Sequence, residues 1–425
     1  MLQIKLLFIA INICYLTFAF ATRAFAYLDP GTGNALLAVL ASIIAAVVFA
    51  LQGLFYKLTG KKKKATHAKS SGLVIFSEGK SYWLTWKPIV EELLSRHVHF
   101  AYYTMDIHDP CLTIENEFMD NRYIGSGTLA YAKMGRLNAE LLLSTTPNIG
   151  TEGYPMKRSP NVRNMDHIYH GLDDEGTYHR HALDSYDTVL LSGEFQVKAI
   201  RKLEALRGLA EKTLVPAGLP YLDEMATRVK PRQEQGEKAT ILVAPSWGTK
   251  NCLARHGVGF IKKLASEGFN VIIRPHPQTL KVEADLLQSW QEELDGVANI
   301  SWDFEADGSL SLSLADIMIS DMSAVRLDFV ILYQKPVVTL ETTIGEQGEY
   351  EVADLGKAWS ETIADKIGVF VPKEKIGDIV SFVREALASG TRENLTAFRE
   401  ENLYNFGTSA EVVANYLIAQ VADEH

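Results

Sequence analysis

The sequence predicts an α/β protein with two Rossmann-like lobes facing a cleft, preceded by an N-terminal membrane segment. Three observations point there. From Gly72 onward, short apolar runs alternate with amphipathic segments, the pattern of βαβ units and parallel sheets. The alternation stops in a polar stretch, Arg228 to Lys238, which contains Lys230-Pro231 and Gly236, and then starts again. The first sixty positions, by contrast, are crowded with apolar residues.

The chain has 425 residues, with 42 Lys+Arg against 52 Asp+Glu and a formal net charge of −10. Hydrophobic residues make up 47% and charged residues 22%, a balance that excludes a largely disordered or fibrous protein. Duplex binding needs a basic face for counterion release, so nucleic acid is not an expected partner.

Leu6 to Ala21 is an apolar run preceded only by Lys5, and it ends near Ala24-Phe25-Ala26, which resembles a signal-peptidase site. Ala35 to Tyr56 carries no charge and, at about 22 residues, is long enough for a bilayer core of about 30 Å. Lys57 and Lys61-Lys62-Lys63-Lys64 then mark the cytoplasmic side. Whether the first run is cleaved or retained, Tyr27 to Gly33 falls outside, and everything after Lys64 faces the cytoplasm. The alternative is a buried core helix. Only Cys14, Cys111 and Cys252 occur, without a CxxC pair, as expected in a reducing compartment with no disulfide or structural zinc. Residues 1–64 are thus expected to anchor the chain, and Lys61 to Ser71 reads as a linker.

In the first lobe, 72–230, the expected strands are Leu73–Phe76, His99–Tyr103, Glu140–Leu143, His167–Tyr169, Thr188–Leu191 and Thr213–Val215. Lys87–His97 reads as a helix with Pro88 in its first turn. In the second lobe, 238–425, the strands are Thr240–Ala244, Asn270–Ile273, Ala315–Ile319 and Pro336–Leu340. Helices are expected at Gly257–Glu267, Leu280–Leu294, Val325–Tyr333 and Ile376–Leu387, with a terminal one at Ala410–Val421 placed to pack back on the first lobe.

Ligands of open parallel sheets bind outside the carboxyl ends of the strands. The residues there are His170-Gly171, Ser192-Gly193 and Gly218-Leu219-Pro220 in the first lobe. In the second they are Ala244-Pro245-Ser246-Trp247, Arg274-Pro275-His276-Pro277 and Ser320-Asp321-Met322-Ser323. Ser320 or Asp321 caps the following helix, leaving backbone N–H groups near Met322 and Ser323 for an anion, with the Ser323 hydroxyl as a further donor. The alternative is capping alone, and Asp328, two turns on, is equally suited to a helix–sheet contact. Between its two prolines, Arg274 and His276 project either at a phosphate or, respectively, at a carboxylate and into the turn. His170 beside a glycine suits a general base near neutral pH. His167, His170, His179 and His181 match no zinc spacing, so no metal site is expected. Glu78 to Trp83 also follows a strand, on the acceptor side of the cleft.

Taken in order, these motifs resemble the CDP-glycerol glycerophosphotransferase family, the teichoic-acid primases and polymerases. The residues that carry the resemblance are His170-Gly171, Gly218-Leu219-Pro220-Tyr221-Leu222-Asp223, Ala244-Pro245-Ser246-Trp247, Arg274-Pro275-His276-Pro277, and Ser320-Asp321-Met322-Ser323 with Leu327-Asp328-Phe329. The resemblance implies a GT-B fold and transfer of glycerol phosphate, or a related polyol phosphate, from CDP-glycerol to a hydroxyl of a membrane-linked acceptor, with release of CMP. It implies that His170 is the base, that His276 and Arg274 hold the donor pyrophosphate, and that Ser320, Asp321 and Ser323 bind donor phosphate or glycerol. The cytidine would lie against the second lobe, where Ser246 and Trp247 sit. Gly171, Gly218, Pro220, Asp223 and Asp328 shape the cleft.

Three departures stand out. Ala324 replaces a second serine, Asp173-Asp174-Glu175 replaces a lysine after His170-Gly171, and Gly248 replaces an arginine. The acidic loop is expected to repel a polyanionic chain and to favour a more neutral acceptor. A GT-B glycosyltransferase or nucleotide-sugar epimerase using a UDP-sugar is the alternative activity, and an inactive assembly subunit a third. The anchor places the enzyme at the inner membrane with its lobes in the cytoplasm. Any need for a divalent ion is left open.

Overall fold

Two parallel sheets carry the fold, each with its first strand in the interior of the sheet, third in spatial order. The first runs β3-β2-β1-β4-β5-β6-β7 and the second β10-β9-β8-β11-β12-β13. The strands are β1 Ser71–Ser77, β2 Phe100–Thr104, β3 Met119–Tyr123, β4 Ala139–Ser144, β5 Val162–Ile168, β6 Thr188–Leu191 and β7 Thr213–Pro216 in the first sheet. The second holds β8 Thr240–Val243, β9 Asn270–Ile273, β10 Ile300–Trp302, β11 Ile317–Ser320, β12 Val337–Leu340 and β13 Gly368–Val371. Strand order reverses between β1 and β4, and again between β8 and β11, creating the crevices where ligands of such sheets bind. The computed structural model describes residues 71–172, 174–230, 238–248, 250–305, 307–342, 349–390 and 392–422. The expected anchor, 1–64, lies outside the described residues. Among the described residues no helix is long and apolar enough to cross a membrane.

Alternating residues of the first sheet feed two cores. Leu73, Ile75, Leu141 and Leu143 pack beneath Trp86, Ile89 and Leu93 of the helix Trp83–Ser95. Val74, Phe76, Leu142 and Met165 on the other face join Leu242, Met318 and Phe329 of the second lobe in one apolar cluster. The two lobes therefore share a core.

Every strand read from the sequence is present. The three that sequence patterning missed, β3 (Met-Asp-Asn-Arg-Tyr), β10 and β13 (Gly-Val-Phe-Val), are sheet edges, where one neighbour and partial exposure weaken the apolar signal. The first helix starts at Trp83 rather than Lys87, so Pro88 sits inside it and not in its first turn. A proline there costs about 3 kcal/mol. Full burial of Trp86, Ile89, Val90 and Leu93 outweighs it, at about 1.5–3 kcal/mol each. The helix expected over Leu280–Leu294 is broken at Glu283, whose carboxylate accepts hydrogen bonds from Gly248 N (3.1 Å) and Thr279 Oγ1 (2.9 Å). The segment after β11 is helical throughout, as Val325–Asp328 followed by a π-helical turn, Phe329–Tyr333.

The terminal helix, Ser409–Ala422, leaves the second lobe and packs on the first. Val413, Ala414 and Leu417 share a core with Leu73 and Trp86, and Tyr416 OH donates to Asp166 (2.9 Å). The Gly218–Asp223 motif receives the returning chain. Asp223 accepts from the backbone N–H groups of Gly407 and Ser409, both at 2.7 Å, and Ser409 Oγ accepts from Leu219 N (3.0 Å). Gly218 has φ +90°, and a Cβ there would lie 2.5 Å from the Tyr404 carbonyl oxygen. Pro220 opens the helix Pro220–Ala226 at its first turn. Gly218→Ala is expected to cost about 2 kcal/mol or more through overpacking and backbone strain, read as a lower melting temperature and faster proteolysis near residues 402–409.

Candidate functional site

At the switch point of the second sheet a single carboxylate ties two loops together. Asp321 is fully buried and accepts four hydrogen bonds: Ser246 N (2.9 Å), Ser246 Oγ (3.0 Å), Cys252 N (2.7 Å) and Ser323 N (3.2 Å). Ser320, also fully buried, donates its hydroxyl to the Ala244 carbonyl (2.6 Å). The resemblance implies donor contacts for both; in the structure both are buried and hydrogen-bonded within the protein. A buried carboxylate must be hydrogen-bonded on all sides, and here the partners are the protein's own loops. What the knot leaves for a ligand is the half-buried Ser323, whose hydroxyl has no partner among the described residues, beside the exposed turn at Ala324.

At the end of β9, Arg274 donates to Asp303 (2.7 Å), so its charge is paired and the carboxylate alternative is the one realised. His276 Nδ1 accepts from Gln278 N (3.1 Å), which puts the proton of the neutral ring on Nε2 as a donor. Burial lowers its pKa, against the opposing fields of Asp321 and Glu283. Trp247, 55% exposed, stands with its ring 6.4 Å from that imidazole. An exposed tryptophan beside a histidine donor offers a stacking surface.

Arg326, absent from the sequence expectations, lies beneath the Asp321 knot. It is fully buried, donates to the Ser360 carbonyl and contacts Thr339 Oγ1 (3.4 Å), and its Nε has no partner. Burial lowers its pKa to about 10, while Asp321, Asp174 and Glu361 sustain the charge. The signal available in the sequence was a lone arginine between Val325 and Leu327 in an apolar helix. One crevice is lined by Met322, Ser323 and Arg326 from the second lobe and by Leu172, Asp174 and Thr177 from the first. The loop that begins at His170 and the loop that ends at Ser323 therefore meet.

The acidic loop does not present the charge expected of it. Asp174 is buried and accepts from Gly176 N and Ser360 N, each at 2.9 Å. Glu175 is buried, accepts from Tyr169 OH, and has its pKa raised to about 8 by burial. Asp173 lies outside the described residues. Repulsion of a polyanion by Asp174 and Glu175 is thus corrected: burial removes both from the surface.

His170, half-buried after β5 with Gly171 in the same turn, sits edge-on to Tyr82 with ring centroids 5.0 Å apart. Its field also reaches Glu78. The other histidines separate. His167 is enclosed by Tyr169, Tyr178 and Tyr186 with its pKa lowered to about 3 by burial, His179 stacks on Tyr350, and His181 pairs with Asp184 (2.6 Å). Asp328 accepts from Tyr221 OH across the lobes (3.0 Å), which makes it a latch rather than a ligand group. A second latch joins Arg207 to Glu351 and Asp354.

No protein-family model matches the sequence, and no curated relative does. Solved structures do resemble it. The wall teichoic acid polymerase TagF superposes with a TM-score of 0.52 at 14% identity, over 90% of this chain and 99% of that one. UDP-GlcNAc 2-epimerase from Methanocaldococcus jannaschii, in complex with UDP-GlcNAc and UDP, gives 0.52 at 13% identity, over 82% and 99%. A glycosyltransferase from Rickettsia africae gives 0.50 at 11%, over 84% and 100%. At such identities the likeness is one of fold, and the fold is GT-B-like.

Two outcomes test this description. Tyr221→Phe should lower stability by about 1.5–3 kcal/mol, read in denaturant titration, because it strips a hydrogen bond from a carboxylate. Glu175 ionises near 4.5 when unfolded but at about 8 in the fold, so its contribution is full below pH 4.5 and declines as pH rises through 8. Glu175→Gln should therefore melt close to the parent protein near pH 4.5 and above it beyond pH 8. A deficit at both pH values would refute the assignment.

Proposed function

We propose that the chain is a membrane-tethered transferase. It moves glycerol phosphate, or a related polyol phosphate, from a CDP-linked donor to a hydroxyl of a membrane-linked cell-envelope acceptor. The observation that carries the reading is the junction of the His170 loop with the Met322–Arg326 segment at one crevice between the lobes. The GT-B-like fold shared with TagF supports it.

In the proposed reaction the acceptor hydroxyl gives its proton to the His170 imidazole as its oxygen attacks the glycerol-bearing phosphorus. The new P–O bond forms as the bond to the CMP oxygen breaks, and CMP leaves. Little covalent chemistry falls to the protein, so positioning and charge stabilisation dominate. His276 Nε2–H and the Ser323 hydroxyl are the donors for the pyrophosphate, Arg326 supplies positive charge from behind, and Trp247 offers a face to the cytosine. Arg274 orients the β9 loop through Asp303 and does not meet phosphate as a free cation.

The charge-free run at 35–56 and the lysines after it support tethering at the inner membrane with the lobes in the cytoplasm. A tether raises the enzyme's concentration at the surface that holds a lipid-linked acceptor. The epimerase with bound UDP favours a second reading, a UDP-sugar enzyme. Thermal shift separates the two: protection by CDP or CMP supports the first, protection by UDP-sugars alone the second.

His170→Ala should cut CMP release from CDP-glycerol by about 10²–10⁴-fold, the usual worth of a general base, with the fold intact by circular dichroism. Turnover that survives both His170→Ala and His276→Ala would overturn the mechanism.

A further inference from the structure

The switch point of the first sheet holds a second constellation. Pairing of Phe76 with Ser144, and of Ser144 with His167, sets the turn residues after β1, β4 and β5 side by side. There the Glu78 carboxylate lies close enough to the Tyr82 and Tyr154 hydroxyls to feel both, and the ring of His170 meets that of Tyr82 edge to face at 5.0 Å. All four side chains are half-buried and so within reach of a ligand. Around them the Thr145 and Thr146 hydroxyls, 0% and 1% exposed, and His170 Nδ1 are buried polar atoms without a partner. Buried polar groups are nearly always hydrogen-bonded, and these exceptions gather at the ends of neighbouring strands, where ligands of such sheets bind.

The charge at this place decides what kind of ligand fits. Among the described residues the groups acting on Glu78 are Tyr82, His170 and Tyr154, with burial the largest influence, and no lysine or arginine is one of them. Lys80 is exposed, and its backbone N–H is turned to Asp106 (3.2 Å). A carboxylate with no lysine or arginine beside it is a poor host for phosphate and accepts hydrogen bonds from hydroxyl groups. Two tyrosine rings add apolar faces of the sort that pack on the C–H surface of a sugar.

We propose that Glu78, Tyr82, Tyr154 and His170 form a subsite for a neutral polyhydroxyl group, the sugar or polyol end of the acceptor, read through its hydroxyls and not through phosphate. The proposal rests on the transfer reading above and names its acceptor class. Glu78 and Tyr154 hold one ligand hydroxyl so that the next points at His170.

The full chain in detergent, with no nucleotide present, is titrated with methyl α-glucoside and with glycerol by ligand-observed NMR, and glycerol 3-phosphate is added as competitor. A neutral probe should bind the parent protein. Glu78→Gln and Tyr154→Phe should each weaken it by about fivefold or more, the worth of one hydrogen bond, and glycerol 3-phosphate should fail to displace it. The proposal falls if neither neutral probe binds, if both folded variants bind as the parent does, or if glycerol 3-phosphate displaces the probe at equal concentration. Thermal shift with CDP on the same samples separates the two claims. Protection by CDP should persist in both variants, and its absence from the parent would remove the donor reading whatever the neutral probes do.

Discussion

The second lobe is organised around one buried negative charge. Asp321 sits where the loops after β8 and β11 converge, and its oxygens accept from Ser246, Cys252 and Ser323. A carboxylate taken out of water is tolerated only when such donors surround it, so the loops cannot separate without exposing an unpaired charge. The knot sets the backbone at Ser323 and leaves that residue's hydroxyl unused. Beneath it the buried Arg326 is held charged by Asp321 from its own lobe and by Asp174 from the other. A line of alternating charge thus runs from the second-lobe side of the crevice into the loop that begins at His170.

The lobes are held in register by more than that line. They share the cluster containing Phe76, Met165, Met318 and Phe329. Tyr221 reaches Asp328, and Arg207 reaches Glu351 and Asp354. The chain then returns to the first lobe through residues 402–409, passing so close to Gly193 that a Cβ there would overlap the Asn402 carbonyl. These ties sit around the crevice where the loop that begins at His170 meets Met322 and Ser323.

Sequence motifs sorted themselves into two groups once folded. Ser323, His276, Trp247 and His170 face open space or keep a free polar atom, whereas Ser320, Asp321, Asp223, Gly218 and Asp328 hold segments together. The same short string supplies both kinds, as in Ser320-Asp321-Met322-Ser323, where the first two residues are buried and the last is not. Nothing in residue type or spacing separates a hydroxyl that staples two strands from one left without a partner. Arg274 makes the same point: its charge is legible in the chain, but its partner Asp303 lies twenty-nine positions away. The inner strands were legible because burial on both faces writes them as continuous apolar runs. The edge strands β3, β10 and β13 were not, since much of their surface is wet.

The α/β class, the order of the inner strands along the chain, the helix after β11 and the return of the last helix are all readable from residue order alone. Apolar periodicity encodes local burial, and local burial is what makes strands and helices. Only the tertiary structure decided which charges survive at the surface. Asp174 and Glu175, acidic on paper, are buried beneath the second lobe, while Glu78 keeps a half-open carboxylate on which, among the described residues, no lysine or arginine acts. Charge along a chain is additive, but the field at a site depends on which groups are desolvated and paired by residues far away in sequence, and that is settled only by packing.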